Sequence, residues 1–290
     1  MTYNKVTSTV LYVCGYGRSG STLLDTTLAS EFGLLSAGEL CHLSKASSYP
    51  CGCGKLVDCC ELWGPLLSDL PLAPGRDEQI HSVGRASRNY AEYWRKVFAH
   101  TAQAGWPLVV DSSKSAWRQA KRPGRLREIG IDVQPVLIWR DFDGVLGSRL
   151  AAHERRQGSG CGRWRLQFIE LETALSWSVA NIIALHYVRK ANEGHVLSLS
   201  RFVACTEEAL KLFESTVHRS CPPASNNGFG NHSVAGNRLR LEEPARPSHK
   251  RQQSPGTRRS RFSWWITRPI ELLLERESTE LSKRRPHSSE

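Results

Sequence analysis

"VCGYGRSGSTLL", Val13 to Leu24, decides the fold. Just upstream, "STVLYVCG" is a short β-branched and aromatic run ending in glycine, which reads as a buried strand. Downstream, "STLLDTTLASEFG", Ser21 to Gly33, reads as a helix with Gly33 as its stop. Strand, glycine loop and helix together form the phosphate-binding unit of a parallel sheet. Glycines such as Gly17 and Gly20 let backbone amides approach an anion closely. The helix N-terminus adds N–H donors and a partial positive charge. Arg18, Ser19, Ser21 and Thr22 add guanidinium and hydroxyl donors.

The loop is one residue short of a Walker A sequence. Gly15 and Gly20 hold the outer glycine positions and Thr22 the Ser/Thr position, but Ser21 stands where the lysine belongs. That lysine reaches the β and γ phosphates of a nucleoside triphosphate. Its absence weakens a kinase or ATPase reading and suits a 5′-phosphate that stays bound.

Working outward, "PLVVDSS" (Pro107 to Ser113) and "VQPVLIWRD" (Val133 to Asp141) read as further strands, and "GHVLSLSRFV" (Gly194 to Val203) as another. Leu146 to Arg155, Arg163 to Lys190 and Thr206 to Thr216 read as helices between and after them. Alternating strands and helices predict an α/β fold, a three-layer parallel sheet with P-loop-like architecture. After Ser220 the texture changes to Gly/Asn/Pro loop, then to a charged, proline-containing stretch without periodicity. An apolar pattern resumes at "FSWWITRPIELLLERE", interrupted by Pro269, and predicts a helix packed on the core.

The chain has 290 residues with 40% hydrophobic content, enough for one sizeable α/β core. Lys and Arg number 39 against 28 Asp and Glu, a formal +11 that favours polyanions such as nucleic acid, an anionic membrane surface or a phosphorylated cofactor. About half of that excess lies beyond Arg238, where it also fits a solvated, solubilising end. No run of 18 or more apolar residues is present. The start lacks the basic flank, apolar block and cleavage site of a signal peptide. These features lead us to expect a soluble cytoplasmic protein without a transmembrane segment.

Four of the nine cysteines fall in "YPCGCGKLVDCCELW": Cys51, Cys53, Cys59 and Cys60. Thiolates in a short span can bind zinc, but these spacings are tighter than the usual gaps of two to four residues. A structural metal and a disulfide or redox pair are alternatives. The expectation is free thiols packing a loop in a reducing compartment, with no metal.

Two segments carry a family resemblance. "CGYGRSGSTLL" resembles the 5′-phosphosulfate-binding loop of sulfotransferases that use 3′-phosphoadenosine 5′-phosphosulfate (PAPS). "VLIWRDFDGVLGSRL" resembles their 3′-phosphate-binding segment, in which an Arg-Asp pair ends a strand and a serine follows eight residues after the arginine. Arg140 and Ser148 match those positions. "SAGEL" (Ser36 to Leu40), "CGCGKLVDCCELW", "LVVDSSKS" and "HSVAGNRLR" resemble further segments of the bacterial and carbohydrate-type branch. Two departures stand out: Arg238 replaces a proline after Asn237, and Asp141 is followed by "FDG" instead of a Pro-Arg-Ala type run. The organisation implied is a sulfotransferase domain over 1–240 that includes a cysteine-rich insert at 50–63. A basic flexible segment at 241–262 and a C-terminal helix and tail at 263–290 follow.

Sulfuryl transfer requires proton loss from an attacking hydroxyl and stabilisation of charge on the departing phosphate oxygen. The resemblance implies that Gly17, Arg18, Ser19, Gly20, Ser21 and Thr22 serve the 5′ end of the cofactor. Arg140 and Ser148 serve the 3′ end, with Asn237 and Arg240 adding contacts. It also implies a base at Glu39, by similarity to a Gly-Glu pair in the protein-tyrosine sulfotransferases, with His42 and His232 as rival histidines. Lys114 is the candidate to bind leaving-group or sulfuryl oxygens, and Asp111 a supporting anchor. No metal is needed for this chemistry. The expected partners are PAPS and a hydroxyl-bearing acceptor on a carbohydrate, glycolipid or small metabolite, with no nucleic acid. The alternatives are a P-loop nucleotide kinase-like enzyme, and a non-enzymatic anion- or nucleic-acid-binding module using the basic tail with Trp264 and Trp265.

Overall fold

A computed structural model describes residues 9–45, 47–70, 88–114, 119–157, 162–220, 230–235 and 260–283. Its centre is a six-stranded, wholly parallel sheet in the order β5-β4-β1-β3-β2-β6. The strands are β1 (Thr9–Cys14), β2 (Leu35–Gly38), β3 (Leu108–Asp111), β4 (Asp132–Trp139), β5 (His195–Ser198) and β6 (Gly230–Val234). All of β1 is buried because both faces of the sheet are covered. Val10, Tyr12 and Cys14 point into one core, and Leu11 and Val13 into the other.

The helices divide by crossover direction. The first face carries α2 (Trp63–Asp69), α3 (Arg88–Gln103), α4 (Arg122–Glu128) and α6 (Arg163–Arg189). Trp63, Trp94, Leu126 and Trp177 are their buried contributions. The second face carries α1 (Ser21–Phe32), α7 (Leu199–Ala204), α8 (Thr206–Leu210) and α9 (Glu214–Ser220), with Leu24, Leu28 and Phe202 buried. Connections running toward β6 use the second face and those running toward β5 use the first, as one handedness of crossover demands. The chain therefore leaves β1 and its neighbour β3 in opposite directions. Their carboxyl ends open the crevice in which α/β sheets bind ligands.

Several expected elements move. The run "GHVLSLSRFV" is half strand: Ser198 accepts a hydrogen bond from the Arg201 amide at 3.2 Å, and this N-cap starts α7. The helix expected from Thr206 divides into α8 and α9. The helix after β4 begins earlier than read, so α5 spans Phe142–Gln157. Strand β6 lies within a stretch read as loop.

Pro269 does not break the last helix. α10 runs from Arg261 to Lys283 and packs on α6 and β5. Ser278 accepts from the Trp139 indole at 2.9 Å, and buried Glu271 accepts from the Phe142 amide at 3.1 Å. Among the described residues one helical stretch, Trp164–Arg189, is long and apolar enough to cross a membrane, but half of it is buried within the fold, as in a core helix.

Candidate active site

The loop after β1 is built for close approach. Gly15 has φ +110°, and a Cβ there would lie 2.8 Å from the Ile138 carbonyl oxygen of β4. Gly20 precedes α1 in the left-handed region, with φ 91°, and no side chain caps the helix. The first amides of α1 thus present their donors at the crevice. Ser19 is fully buried, and its Oγ has no hydrogen-bond partner among the described residues. A buried hydroxyl without a partner, beside an uncapped helix start, fits an anionic ligand at this loop.

Arg18 stands at φ 69°, a rare conformation for a non-glycine residue. Its Nη1 donates to Ser148 Oγ at 3.4 Å. This contact joins the loop to the segment read as the 3′-phosphate site, 130 residues away. Burial first, then repulsion by Arg156, Arg155 and Arg149, pushes the Arg18 pKa down. Guanidiniums gathered in this way favour an anion among them. Arg149 was not singled out in the sequence. It donates to Tyr16 at 2.8 Å and to Thr173 at 3.0 Å, and it grips both carboxylate oxygens of Glu172 at 2.9 and 3.0 Å. It thereby fixes the phosphate loop against α5 and α6. Its place directly after Ser148 was the available signal.

Arg140 ends β4 half-buried, with desolvation lowering its pKa. Its guanidinium lies against Gly144, where an added Cβ would come within 2.4 Å of Nε. The glycine of the unusual "FDG" run is what lets the arginine lie there. Asn237 and Arg240 fall outside the described residues.

Across the crevice, the chain brings Glu39 and Lys114 together. Glu39 follows β2, and its amide donates to the Val234 carbonyl of β6 at 2.8 Å. Gly38, at φ 66°, brings its backbone so close to β6 that a Cβ would meet the Val234 oxygen at 2.8 Å. Lys114 sits at the end of β3 in the left-handed region, with φ 67°. Its amide donates to Val13 O at 3.1 Å, and its carbonyl accepts from the Tyr12 hydroxyl at 2.5 Å. The Lys114 ammonium donates to Glu39 Oε1 in a largely buried ion pair. His42 Nε2 lies 3.5 Å from the other Glu39 oxygen.

Burial pushes the Glu39 carboxyl up, but the His42 hydrogen bond and the Lys114 charge outweigh it and hold the group down at about 2. Hydrogen bonding with Cys41, then with Glu39, raises His42 to about 10. The result is a carboxylate flanked by two cationic groups. Asp111 lies beneath this pair at the end of β3. It is fully buried, paired with Arg122 at 2.9 Å, and accepts from the Ser113 amide at 2.9 Å. The Ser113 hydroxyl in turn accepts from the Cys41 amide at 3.0 Å, which links β3 to the turn carrying Glu39 and His42.

His232 is not in this constellation. It lies with the cysteine-rich insert, beside Cys51, Cys53 and Cys60, while Cys59 stands outside and exposed. The reading of four thiols packing one loop is therefore amended: three cysteines gather on a histidine from β6. The sequence hid this because His232 is 172 residues from Cys60.

No protein-family model and no curated protein matches the chain. Among solved structures, it is similar to the sulfotransferase domain from the Synechococcus PCC 7002 olefin synthase, at 17% identity and a TM-score of 0.45, covering 91% of this chain and 94% of that one. It is also similar to the sulfotransferase domain from the curacin biosynthetic pathway, at 15% identity and a TM-score of 0.46, covering 90% of this chain and 96% of that one.

Proposed function

We propose that the chain transfers a sulfuryl group from PAPS to a hydroxyl on a carbohydrate, glycolipid or small metabolite. The observation that carries this reading is Arg18. It belongs to a phosphate loop without a lysine, lies among arginines, and bonds Ser148 of the segment that resembles a 3′-phosphate site. A loop for one phosphate joined to a second anion site favours a nucleotide phosphorylated at both ends. The uncapped start of α1 and the partnerless Ser19 hydroxyl suit the 5′ group.

PAPS, when bound, supplies the sulfuryl group and an anionic leaving group. Glu39 accepts the proton of the attacking hydroxyl at a carboxylate oxygen. While hydrogen-bonded to His42 and paired with Lys114 it is a poor base, because its pKa of about 2 lies far below neutral. Lys114 turning from Glu39 would relieve part of that depression and would place its ammonium to neutralise charge on a departing phosphate oxygen. His42 keeps Glu39 oriented. Arg18, Arg140 and the α1 amides bind and orient the nucleotide, and both guanidiniums stay charged throughout.

The test is a turnover assay with PAPS, and in parallel with ATP, against a panel of sugar, lipid and small-molecule hydroxyls. Sulfated product from PAPS, with no phosphorylated product from ATP, is expected. Phosphoryl transfer from ATP would instead establish the kinase-like alternative.

A further inference from the structure

The cysteine-rich insert has almost no regular structure before α2; among the described residues one isolated bridge, Pro50 to Leu56, is its sole ladder contact. Yet it is held closely against β6, the edge strand of the sheet. The Gly52 amide donates to Ser233 O at 3.0 Å, and the Trp63 indole donates to His232 O at 2.6 Å. A tight turn closes at Cys51, whose amide donates to Lys55 O at 2.7 Å. Gly54 permits that turn with φ 86°. A short segment with so little regular structure needs a staple besides its buried Val57 and Trp63.

The side chains at its centre supply one. Cys51 and Cys60 sulfurs are 3.7 Å apart, Cys53 and Cys60 are 3.8 Å apart, and Cys60 Sγ lies 3.2 Å from His232 Nδ1. All four ligand atoms fall within 4.8 Å of one another. Tetrahedral zinc, at about 2.3 Å from sulfur and about 2.0–2.1 Å from nitrogen, separates two sulfurs by about 3.8 Å and a sulfur from a nitrogen by about 3.6 Å. Both sulfur–sulfur separations agree with that figure, and the sulfur–nitrogen contact, at 3.2 Å, is shorter. A disulfide joins two sulfurs at about 2.0 Å and leaves no reason for a third sulfur and an imidazole to converge on the same point. Three thiolates and an imidazole in tetrahedral array select zinc over the hard cations that prefer oxygen.

We propose that Cys51, Cys53, Cys60 and His232 bind one structural zinc ion that clamps the insert to β6. Four protein ligands leave no open position, so the ion takes no part in proton or group transfer. It staples the edge strand two residues before Val234, the carbonyl that seats the Glu39 amide. Exposed Cys59 is not a ligand.

The experiment is elemental analysis of the full chain, purified under reducing conditions with one equivalent of zinc and then desalted, alongside Cys59→Ser and Cys60→Ser. One zinc per chain is expected in the parent and in Cys59→Ser, with a loss of at least half in Cys60→Ser. No bound zinc in the parent, or equal retention in both variants, would overturn the assignment. So would a thiol count showing Cys51, Cys53 or Cys60 in a disulfide in the freshly purified chain. Should Cys60→Ser not fold, cobalt(II) replacement in the parent decides. Thiolate-to-cobalt charge transfer with intense visible bands supports a tetrahedral sulfur-rich site, and a weak octahedral spectrum refutes it.

Discussion

Glu39 and Lys114 are 75 positions apart in sequence and meet in a site from which most water is excluded. The charges of an ion pair at contact distance attract by about 4 kcal/mol where the effective dielectric is near 20, and the cost of desolvating both groups offsets much of this. In the proposed mechanism the pair is a resting contact that has to open. Glu39→Gln keeps the shape and removes the proton acceptor. Turnover is expected to fall roughly 10²- to 10⁴-fold with nucleotide affinity nearly unchanged. Lys114→Ala should lower both, because an ammonium near the leaving oxygen contacts ground state and transition state alike. Steady-state kinetics and calorimetry on both variants separate the roles; unchanged turnover in Glu39→Gln would remove it as the base. A second residue-scale prediction concerns Gly144. A Cβ there meets Arg140 at 2.4 Å, and because the obstacle is the far end of a flexible side chain, the guanidinium moves rather than the backbone. Gly144→Ala should leave thermal stability equal or slightly higher, since alanine favours helix by about 1 kcal/mol over glycine. It should also weaken nucleotide binding. Arg140→Ala sets the upper bound of that loss, about 1.5–3 kcal/mol for a charge-assisted hydrogen bond.

Two elements hold these residues in register. The 3₁₀ turn Leu40–Lys45 carries His42 against Glu39. His42 is raised in the folded state, so its contribution to stability is complete below about pH 6.5 and is lost as pH climbs toward about 10. Glu39 is depressed, so its contribution is complete above about pH 4.5 and is lost as pH falls toward about 2. Thermal unfolding between pH 6 and 10 should show a decline in stability that His42→Gln flattens. The effect is small, because about half of the ring faces water. At the other end, Glu271 of α10 caps α5, the helix bearing Ser148. Glu271→Ala strands the buried Phe142 amide and should cost about 1–3 kcal/mol in denaturant unfolding, with Glu271→Gln, which still accepts the bond, costing less. That cap was illegible in the sequence. Pro269 read as an interruption, whereas the helix carries a proline because its packing outweighs one missing hydrogen bond. The strand–loop–helix unit at Val13 to Leu24 was legible, since a strand, a glycine-rich turn and a helix are local features. β6 was not: its five residues sit among Gly, Asn and Ser, and only pairing with β2 makes them a strand. The pairing of Arg18 with Ser148 and the gathering of Cys60 with His232 needed three-dimensional closure, which no local spacing encodes.

At the scale of the whole molecule, a net charge of +11 and the arginines grouped around Arg18 create a field that draws anions to one end of the sheet. C-terminal helix α10, packed on α6 and β5, belongs to the same core as the phosphate loop. Chains ending before it are expected to lose the Trp139 and Phe142 contacts and unfold at lower temperature than the full chain. The central claim is that this fold joins two phosphate sites into one nucleotide pocket, and calorimetric titration tests it most directly. The full chain is titrated with adenosine 3′,5′-bisphosphate, AMP and ATP at low and at moderate salt. The account predicts that the 3′,5′-bisphosphate binds at least tenfold more tightly than either rival, and that its affinity falls as salt rises. Equal affinity for AMP, or tighter binding of ATP, would contradict it.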